Sequence, residues 1–392
     1  MGGAETRAGG LTAELPKPLL PCGDRPVLAW LMREFIRFGV DEFVLLAGQH
    51  AAQLEVRVAE LSTLLPRQPR LVVSRGPIGA GSGGAIFHSR PYLDECLLLC
   101  DGNVLFDCNL ARLLAADDAD AVGMLLCHRG DPSPSAHGAV RVQGIVVREI
   151  SQQARLRDGW MRNTGVYRFN LALLNELLPV CSLEADVLPR LAARGALRVT
   201  VADGWFRDMS AGRDHAGAQQ DIPYLLRRRA LFLDRDGVVN VDHGYVGSRD
   251  CFEWMPGARE AIRAATEAGW HVFVITNQSG VARGLYDEAA VIALHCWMAD
   301  EVRRAGGTID DIRYCPFHPD GVVPAYRRVS DWRKPAPGML LDLMRRWELD
   351  AGRCVVVGDQ ASDMAAAAAA GIKGFRFSGG NLLDFIRPII GG

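Results

Sequence analysis

Ala230-Leu-Phe-Leu-Asp-Arg-Asp-Gly-Val-Val-Asn240 joins a short, continuous apolar run to a polar turn that carries two carboxylates two positions apart. An apolar run of this length, bounded by turn residues, reads as a buried strand. In extended geometry the period of two points Asp234 and Asp236 to the same side. One carboxylate can attack phosphorus while the other protonates the leaving oxygen and later activates water, a covalent mechanism assisted by acid–base chemistry. The plainer alternative is a turn with two solvated aspartates.

Working outward, the same grammar recurs three times. His271-Val-Phe-Val-Ile275 runs into Thr276-Asn-Gln-Ser-Gly280, where a hydroxyl, an amide and loop N–H groups can hold phosphate oxygens. Arg333-Lys334-Pro335 supplies cations that can neutralise a phosphoryl group in transfer. Cys354-Val-Val-Val-Gly-Asp359-Gln-Ala-Ser-Asp363 adds a strand-end acid suited to a hard, oxygen-loving cation such as magnesium. Ligands of open α/β sheets gather beyond the carboxyl ends of strands, so these turns mark one site. The alanine run Ala365–Ala370, followed by Gly371, reads as a tightly packed helix closed by a glycine.

These four motifs resemble those of the haloacid-dehalogenase superfamily of phosphatases. More closely, Leu233–Tyr245, Thr276–Gly284 and Arg333–Leu341 are similar to the D,D-heptose 1,7-bisphosphate 7-phosphatases, with the histidinol-phosphate phosphatases as near relatives. The resemblance covers residues 230–392 and implies a haloacid-dehalogenase-like Rossmannoid fold. It implies Asp234 as nucleophile and Asp236 as acid/base, with Thr276 and Lys334 completing the catalytic set and Asn277 and Gly237 binding substrate. Magnesium would be held by Asp234, Asp236 through its carbonyl, and Asp359. Arg283 and Arg333 are candidates for the far phosphate of a bisphosphorylated sugar, because guanidinium favours bidentate phosphate recognition; surface ion pairing is the alternative for each. Relatives carry a zinc loop, but here the corresponding positions read Cys315-Pro-Phe-His318 and Ser330-Asp-Trp332. Phe317, Ser330 and Trp332 replace three ligands, so no structural zinc is expected, and packing of Phe317 and Trp332 is expected to keep the loop.

Ahead of the arginine-rich stretch Asp221–Arg229 lies a second α/β pattern. Apolar runs at Glu42–Ala47, Leu71–Val73 and Cys96–Cys100 alternate with helical patterns such as Val27–Phe38, which predicts a largely parallel, buried sheet. Gly2-Gly-Ala-Glu-Thr-Arg7 and Leu15-Pro-Lys17-Pro combine a glycine turn with cations that can wrap a triphosphate. With Pro77–Ala85, Asn163–Phe169 and Gly204–Met209 they resemble the sugar-1-phosphate nucleotidyltransferases, of the heptose-1-phosphate guanylyltransferase type. The resemblance implies a Rossmann-like mixed sheet over residues 1–222, followed by the phosphatase over residues 229–392. It also implies GTP or another nucleoside triphosphate as partner and a site at Arg7, Lys17, Asp101, Asn103 and Asp208. Three departures bear on activity. Glu5 stands where the loop wants glycine, Asn103 stands where a metal carboxylate belongs, and Met1 opens at the loop without the strand that normally precedes it. Either this half transfers nucleotides, with GTP or another donor, or it is a non-catalytic sugar-nucleotide module.

Composition limits the rest. The 392 residues are 49% hydrophobic and 23% charged, enough for two ordinary cores. Forty-four basic against 46 acidic residues give a net charge of -2, without the basic excess of a nucleic-acid binder. No run reaches 18 apolar residues, so neither a membrane nor a nucleic acid is expected as partner. Ten scattered cysteines and no basic-then-apolar leader indicate reduced thiols in a cytoplasm. His128, His137 and His215 lack metal-site spacing and read as surface or loop residues.

Overall fold

The computed structural model describes residues 15–115, 118, 120–129, 137–152, 160–202, 204–209, 217 and 221–391. They fall into two compact units that divide along the chain between Leu226 and Arg227, with Arg37–Gly39 grouped with the second.

In the amino unit two short strands, β1 (Pro21–Cys22) and β2 (Arg25–Pro26), precede the amphipathic helix Val27–Arg37. β3 (Glu42–Leu46) and β4 (Arg70–Ser74) pair in parallel, as the alternation predicts. The main sheet is built from β5 (Cys96–Cys100), β7 (Gly123–His128), β8 (Ala139–Gln143), β9 (Val146–Ser151), β10 (Trp160–Asn170) and β11 (Leu197–Ala202), in the order β5-β10-β7-β11-β9-β8. This sheet corrects the expectation of a largely parallel one: β10 runs antiparallel to β5, β7 and β8, and only β7–β11 is parallel. The hairpin β8–β9, joined at Gly144 and Ile145, adds further antiparallel pairing, and its mixed polar sequence carries no continuous apolar run for a pattern reading to find. A separate ladder joins β6 (Val104–Phe106) to β12 (Phe206–Asp208).

Consecutive residues of both β3 and β5 line an apolar cavity of about 360 Å³ that Phe35 and Phe169 also face. A sheet face would present alternate residues, so strand edges are what the cavity meets.

The carboxyl unit is a five-stranded parallel sheet ordered β15-β14-β13-β16-β17, made from β13 (Ala230–Leu233), β14 (His271–Asn277), β15 (Asp311–Cys315), β16 (Cys354–Gly358) and β17 (Lys373–Arg376). The three central strands are continuous apolar runs because both of their faces are covered. Leu231, Leu233, Val272 and Val274 pack on one face with Ile262 and Ile386, from the helices Ala258–Glu267 and Leu382–Ile390. On the other, Phe232 stacks on Phe273 at 5.1 Å, and Trp347 of the helix Gly338–Trp347 meets Phe273 edge-on at 5.5 Å. The alanine run forms the helix Ala361–Ala369, and Gly371 follows it with φ 70°, the left-handed backbone that a glycine closure uses. Among the described residues no helix is long and apolar enough to cross a membrane.

His295, on the helix Glu288–Arg304, is buried against Arg235, whose Nη1 lies 3.2 Å from its Nε2. Burial first, and then the Arg235 charge, push the imidazole from its ordinary 6.5 down to about 3, so it stays neutral in the folded chain. Below pH 6.5 the unfolded chain takes up a proton that the folded chain does not. Stability should therefore fall by about 1.4 kcal/mol per pH unit between pH 6.5 and about 4. His295→Gln should flatten that slope in urea titrations of the carboxyl unit's unfolding; equal slopes in the two proteins would contradict the assignment.

Candidate active site

The carboxyl ends of β13, β14 and β16 converge because the strands run parallel and in register, and Asp234 N donates to Val357 O at 2.9 Å. Asp234 therefore emerges beside the end of β16, where Asp359 follows Gly358. Between them stands Lys334, nearly fully buried: its Nζ lies 2.7 Å from Asp234 Oδ1 and 2.7 Å from Asp363 Oδ1, and it donates to Ile275 O at 3.2 Å. Burial opposes charge on this lysine, yet Asp234 and Asp363 outweigh it and hold the ammonium above its ordinary pKa. Burial pushes Asp234 upward, Lys334 pulls it back, and Asp363 pushes it up again, leaving it raised. Burial likewise raises Asp359.

Asp234, Asp359 and Asp363 bring carboxylate oxygens within 4.8 Å of one another, the one such group of three among the described residues. Asp359 Oδ1 is buried with no hydrogen-bond partner. Gly237 has φ 87°, and a Cβ there would lie 2.5 Å from Asp359 Oδ2, so only glycine lets this carboxylate close over the turn. Three hard oxygen donors facing a single ammonium, one of them with an unsatisfied atom, suit a divalent cation. Gly237 itself donates its N–H to Asn240 O at 2.7 Å.

Asp236 is separately anchored. Arg235, fully buried, donates to both of its oxygens at 2.9 and 3.0 Å, Asn240 Nδ2 reaches Oδ1 at 3.0 Å, and Gln278 Nε2 reaches Oδ2 at 2.9 Å. Gln278 also donates to Thr276 Oγ1 at 2.8 Å and accepts from Tyr286 at 2.8 Å, so Asp236 and the buried Thr276 share one amide. Asn277 is engaged with the backbone of Lys334: its Nδ2 donates to Lys334 O at 3.1 Å and its Oδ1 accepts from Lys334 N at 3.0 Å. It thereby fixes the lysine's approach.

Arg283 and Arg333 stand apart from this cluster but beside each other. Burial, and further down the like charge of Arg283, lower the Arg333 pKa. Arg283 Nε and Arg333 Nη1 are buried without hydrogen-bond partners, and the Arg283 guanidinium lies 5.8 Å from the Tyr245 ring. Two adjacent cations with unsatisfied donors form a place for an anion. Where the zinc loop would lie, Cys315 is buried with its Sγ 3.9 Å from Phe317 O, and burial raises its pKa. Phe317 packs on Tyr326 at 6.0 Å and under Arg328 at 3.8 Å.

Sequence reasoning missed Arg235, Gln278 and Asp363 as parts of this site. Asp363 sits in the first turn of the helix Ala361–Ala369, where Gln360 N donates to its Oδ2 at 2.9 Å. Its signal in the sequence was that of a helix cap.

In the amino unit, Arg7 and the glycine loop lie outside the described residues, as does His215. Lys17 opens the short turn Lys17–Leu19. Asn103 Nδ2 donates to Asp208 Oδ1 at 3.3 Å, and Asp101 Oδ2 lies 3.2 Å from His137 Nε2. His137 lies in a turn, as the loop reading allows, but is only 3% exposed, because Gly165, with φ 75°, lets its ring pack where a Cβ would sit. The glycines of the Pro77–Ala85 loop answer to packing as well, since a Cβ on Gly81 or Gly84 would meet the carbonyl of Cys181 or Pro179 at 2.4 or 2.6 Å.

Comparison with known proteins agrees with both halves. The Nucleotidyl transferase family matches residues 1–205 and the HAD-hydrolase-like family residues 331–381. Over 164 residues, 42% of this chain and 91% of the relative, the chain is 53% identical to the D-glycero-beta-D-manno-heptose-1,7-bisphosphate 7-phosphatase of Rhodopseudomonas palustris. A solved D,D-heptose 1.7-bisphosphate phosphatase from B. bronchiseptica, complexed with magnesium and phosphate, is 39% identical with a TM-score of 0.36, over 41% of this chain and 86% of that one. HddC from Yersinia pseudotuberculosis, complexed with GMP-PN, is 20% identical with a TM-score of 0.49, over 56% of this chain and 96% of that one. The chain thus belongs to the nucleotidyl transferase family through residues 1–205 and, through its carboxyl unit, to the haloacid-dehalogenase-type family of D-glycero-beta-D-manno-heptose-1,7-bisphosphate 7-phosphatases.

Proposed function

We propose that residues 229–392 form a magnesium-dependent phosphatase that removes the 7-phosphate of D-glycero-D-manno-heptose 1,7-bisphosphate through a phosphoaspartate. The observation that carries this reading is Lys334 bridging Asp234 and Asp363 at the strand ends, beside Asp359. Asp234 attacks phosphorus and the bond to the sugar oxygen breaks, while Asp236 delivers its proton to that oxygen. Asp236 then takes a proton from water as the water's oxygen attacks the phosphoaspartate, which frees inorganic phosphate and restores Asp234. Lys334 and Thr276 hold the transferring group, and Asn277 and Gly237 shape the turns around it. Asp234 and Asp359, with the carbonyl of Asp236, would hold magnesium, which when bound offsets phosphoryl charge. Arg283 and Arg333 take the 1-phosphate.

For the amino unit, residues 1–222, a non-catalytic sugar-nucleotide module is the reading we favour over GDP-heptose synthesis. What supports it is Asn103, a neutral amide that occupies an oxygen of Asp208 in place of a second carboxylate. Incubated with magnesium, GTP and heptose 1-phosphate, the protein should release no pyrophosphate. Asn103→Asp is the substitution chosen to restore turnover, and pyrophosphate release by the unaltered chain would overturn the reading.

With heptose 1,7-bisphosphate, phosphorus NMR should show the 7-phosphate converted to inorganic phosphate while the 1-phosphate persists. Arg283→Ala and Arg333→Ala should each raise KM about tenfold or more, given about 1.5–3 kcal/mol per hydrogen bond to a charged group. Loss of the 1-phosphate, or unchanged KM in both variants, would contradict the assignment.

A further inference from the structure

The segment from Pro316 to Trp332 leaves β15 and returns to deliver Arg333 and Lys334. Closing a loop of this length costs chain entropy, which the contacts that fasten it offset. Its return is fixed by Asn277, which pairs with the Lys334 backbone. Its outward arm ends at a single carboxylate: Glu288, the first residue of the helix Glu288–Arg304, accepts from Tyr314 at 2.9 Å on Oε1 and from Tyr326 at 2.7 Å on Oε2. Asp287 holds the start of that helix by accepting from Ala290 N at 2.8 Å, so Glu288 sits on a fixed support.

Tyr314 belongs to β15 and Tyr326 to the turn Pro324–Tyr326, so one side chain ties strand, loop and helix together. The backbone extends the tie toward the cation pair. Tyr326 O accepts from His318 N at 3.1 Å, Tyr326 N donates to Val323 O at 3.0 Å, and Val323 N donates to Ala282 O at 2.9 Å, next to Arg283. Burial and the bond to Glu288 raise the Tyr314 phenol, and the bond to Glu288 leads in raising Tyr326, so both remain donors across the neutral range. A cavity of about 560 Å³ beside the clamp is lined by Glu288, Phe317, Arg328 and Trp332, so packing alone does not fill the space under the arm.

We propose that Glu288, by holding the hydroxyls of Tyr314 and Tyr326, is the positioning residue that sets the distance between Arg283 and Arg333 and so the preference for a bisphosphorylated substrate. The proposal rests on the reading that these two arginines take the far phosphate. Glu288 touches neither the substrate nor the reacting atoms; it acts through the loop.

The test compares heptose 1,7-bisphosphate with p-nitrophenyl phosphate, which has no second phosphate, on the full chain with magnesium. Glu288→Ala should raise KM for the bisphosphate about tenfold with kcat within about twofold, and leave both constants for p-nitrophenyl phosphate unchanged. Tyr326→Phe, which removes one hydroxyl, should give a smaller shift in the same direction. Adding Tyr314→Phe and Tyr326→Phe to Glu288→Ala should change nothing further, because the three groups act as one unit. Equal losses on both substrates, or no loss on either, overturn the proposal. If Arg283→Ala and Arg333→Ala leave the bisphosphate KM unchanged, it is the underlying reading that fails, whatever Glu288→Ala does.

Discussion

One buried ammonium organises the carboxyl unit. Lys334 sits between Asp234 and Asp363, 2.7 Å from an oxygen of each, at a depth where an isolated charge would be prohibitively costly. Neither partner can be removed cheaply, since each would leave the other charges buried and uncompensated. The cluster still carries more carboxylate than cation, because Asp359 joins the group with an unsatisfied oxygen. That surplus of negative charge makes the site receptive to a divalent cation, and through the cation to a phosphoryl group.

The sheet exists in a form that serves this convergence. Parallel strands put all their carboxyl ends on one side, and burial of nearly all of β13, β14 and β16 fixes their register, so Asp234, Thr276 and Asp359 emerge side by side. The oxygens of Asp236 are both engaged: Arg235, Asn240 and Gln278 occupy them, and Arg235 finds further partners in His295 and the Val246 carbonyl, to which its Nη2 donates at 2.6 Å. Arg283 and Arg333 differ in carrying buried donors without partners. Their unsatisfied donors are what a specificity pocket for an anion needs.

Much of this was legible in the residues. The central strands announce themselves as continuous apolar runs, and each is followed by the polar turn that carries Asp234, Thr276 or Asp359. What escaped notice has a physical reason in each case. Asp363 lies in a helix first turn, where an acid is ordinary because it complements the helix dipole, so its pairing with Lys334 had no distinctive signal. Gln278 and Arg235 act through contacts with Asp236 that depend on how the turns fold back. In the amino unit the β8–β9 hairpin lacks an apolar run, so the sheet's antiparallel character was hidden. His137 gave no hint of burial, because the space it fills is provided by Gly165, distant in sequence.

The two units illustrate how far a family resemblance extends. In the carboxyl unit Asp234, Lys334, Asp359 and Asp363 are brought together at the strand ends. In the amino unit the fold family is kept, while Asn103 lies against Asp208 where two carboxylates would be expected to share a cation. The most direct measurement of the central claim is mass spectrometry of peptides from protein that has been acid-quenched within milliseconds of mixing with magnesium and heptose 1,7-bisphosphate. A phosphoryl group carried on Asp234, and its absence from Asp234→Asn, is the predicted result. Turnover at full rate by Asp234→Asn, or phosphate trapped on a different residue, would contradict it.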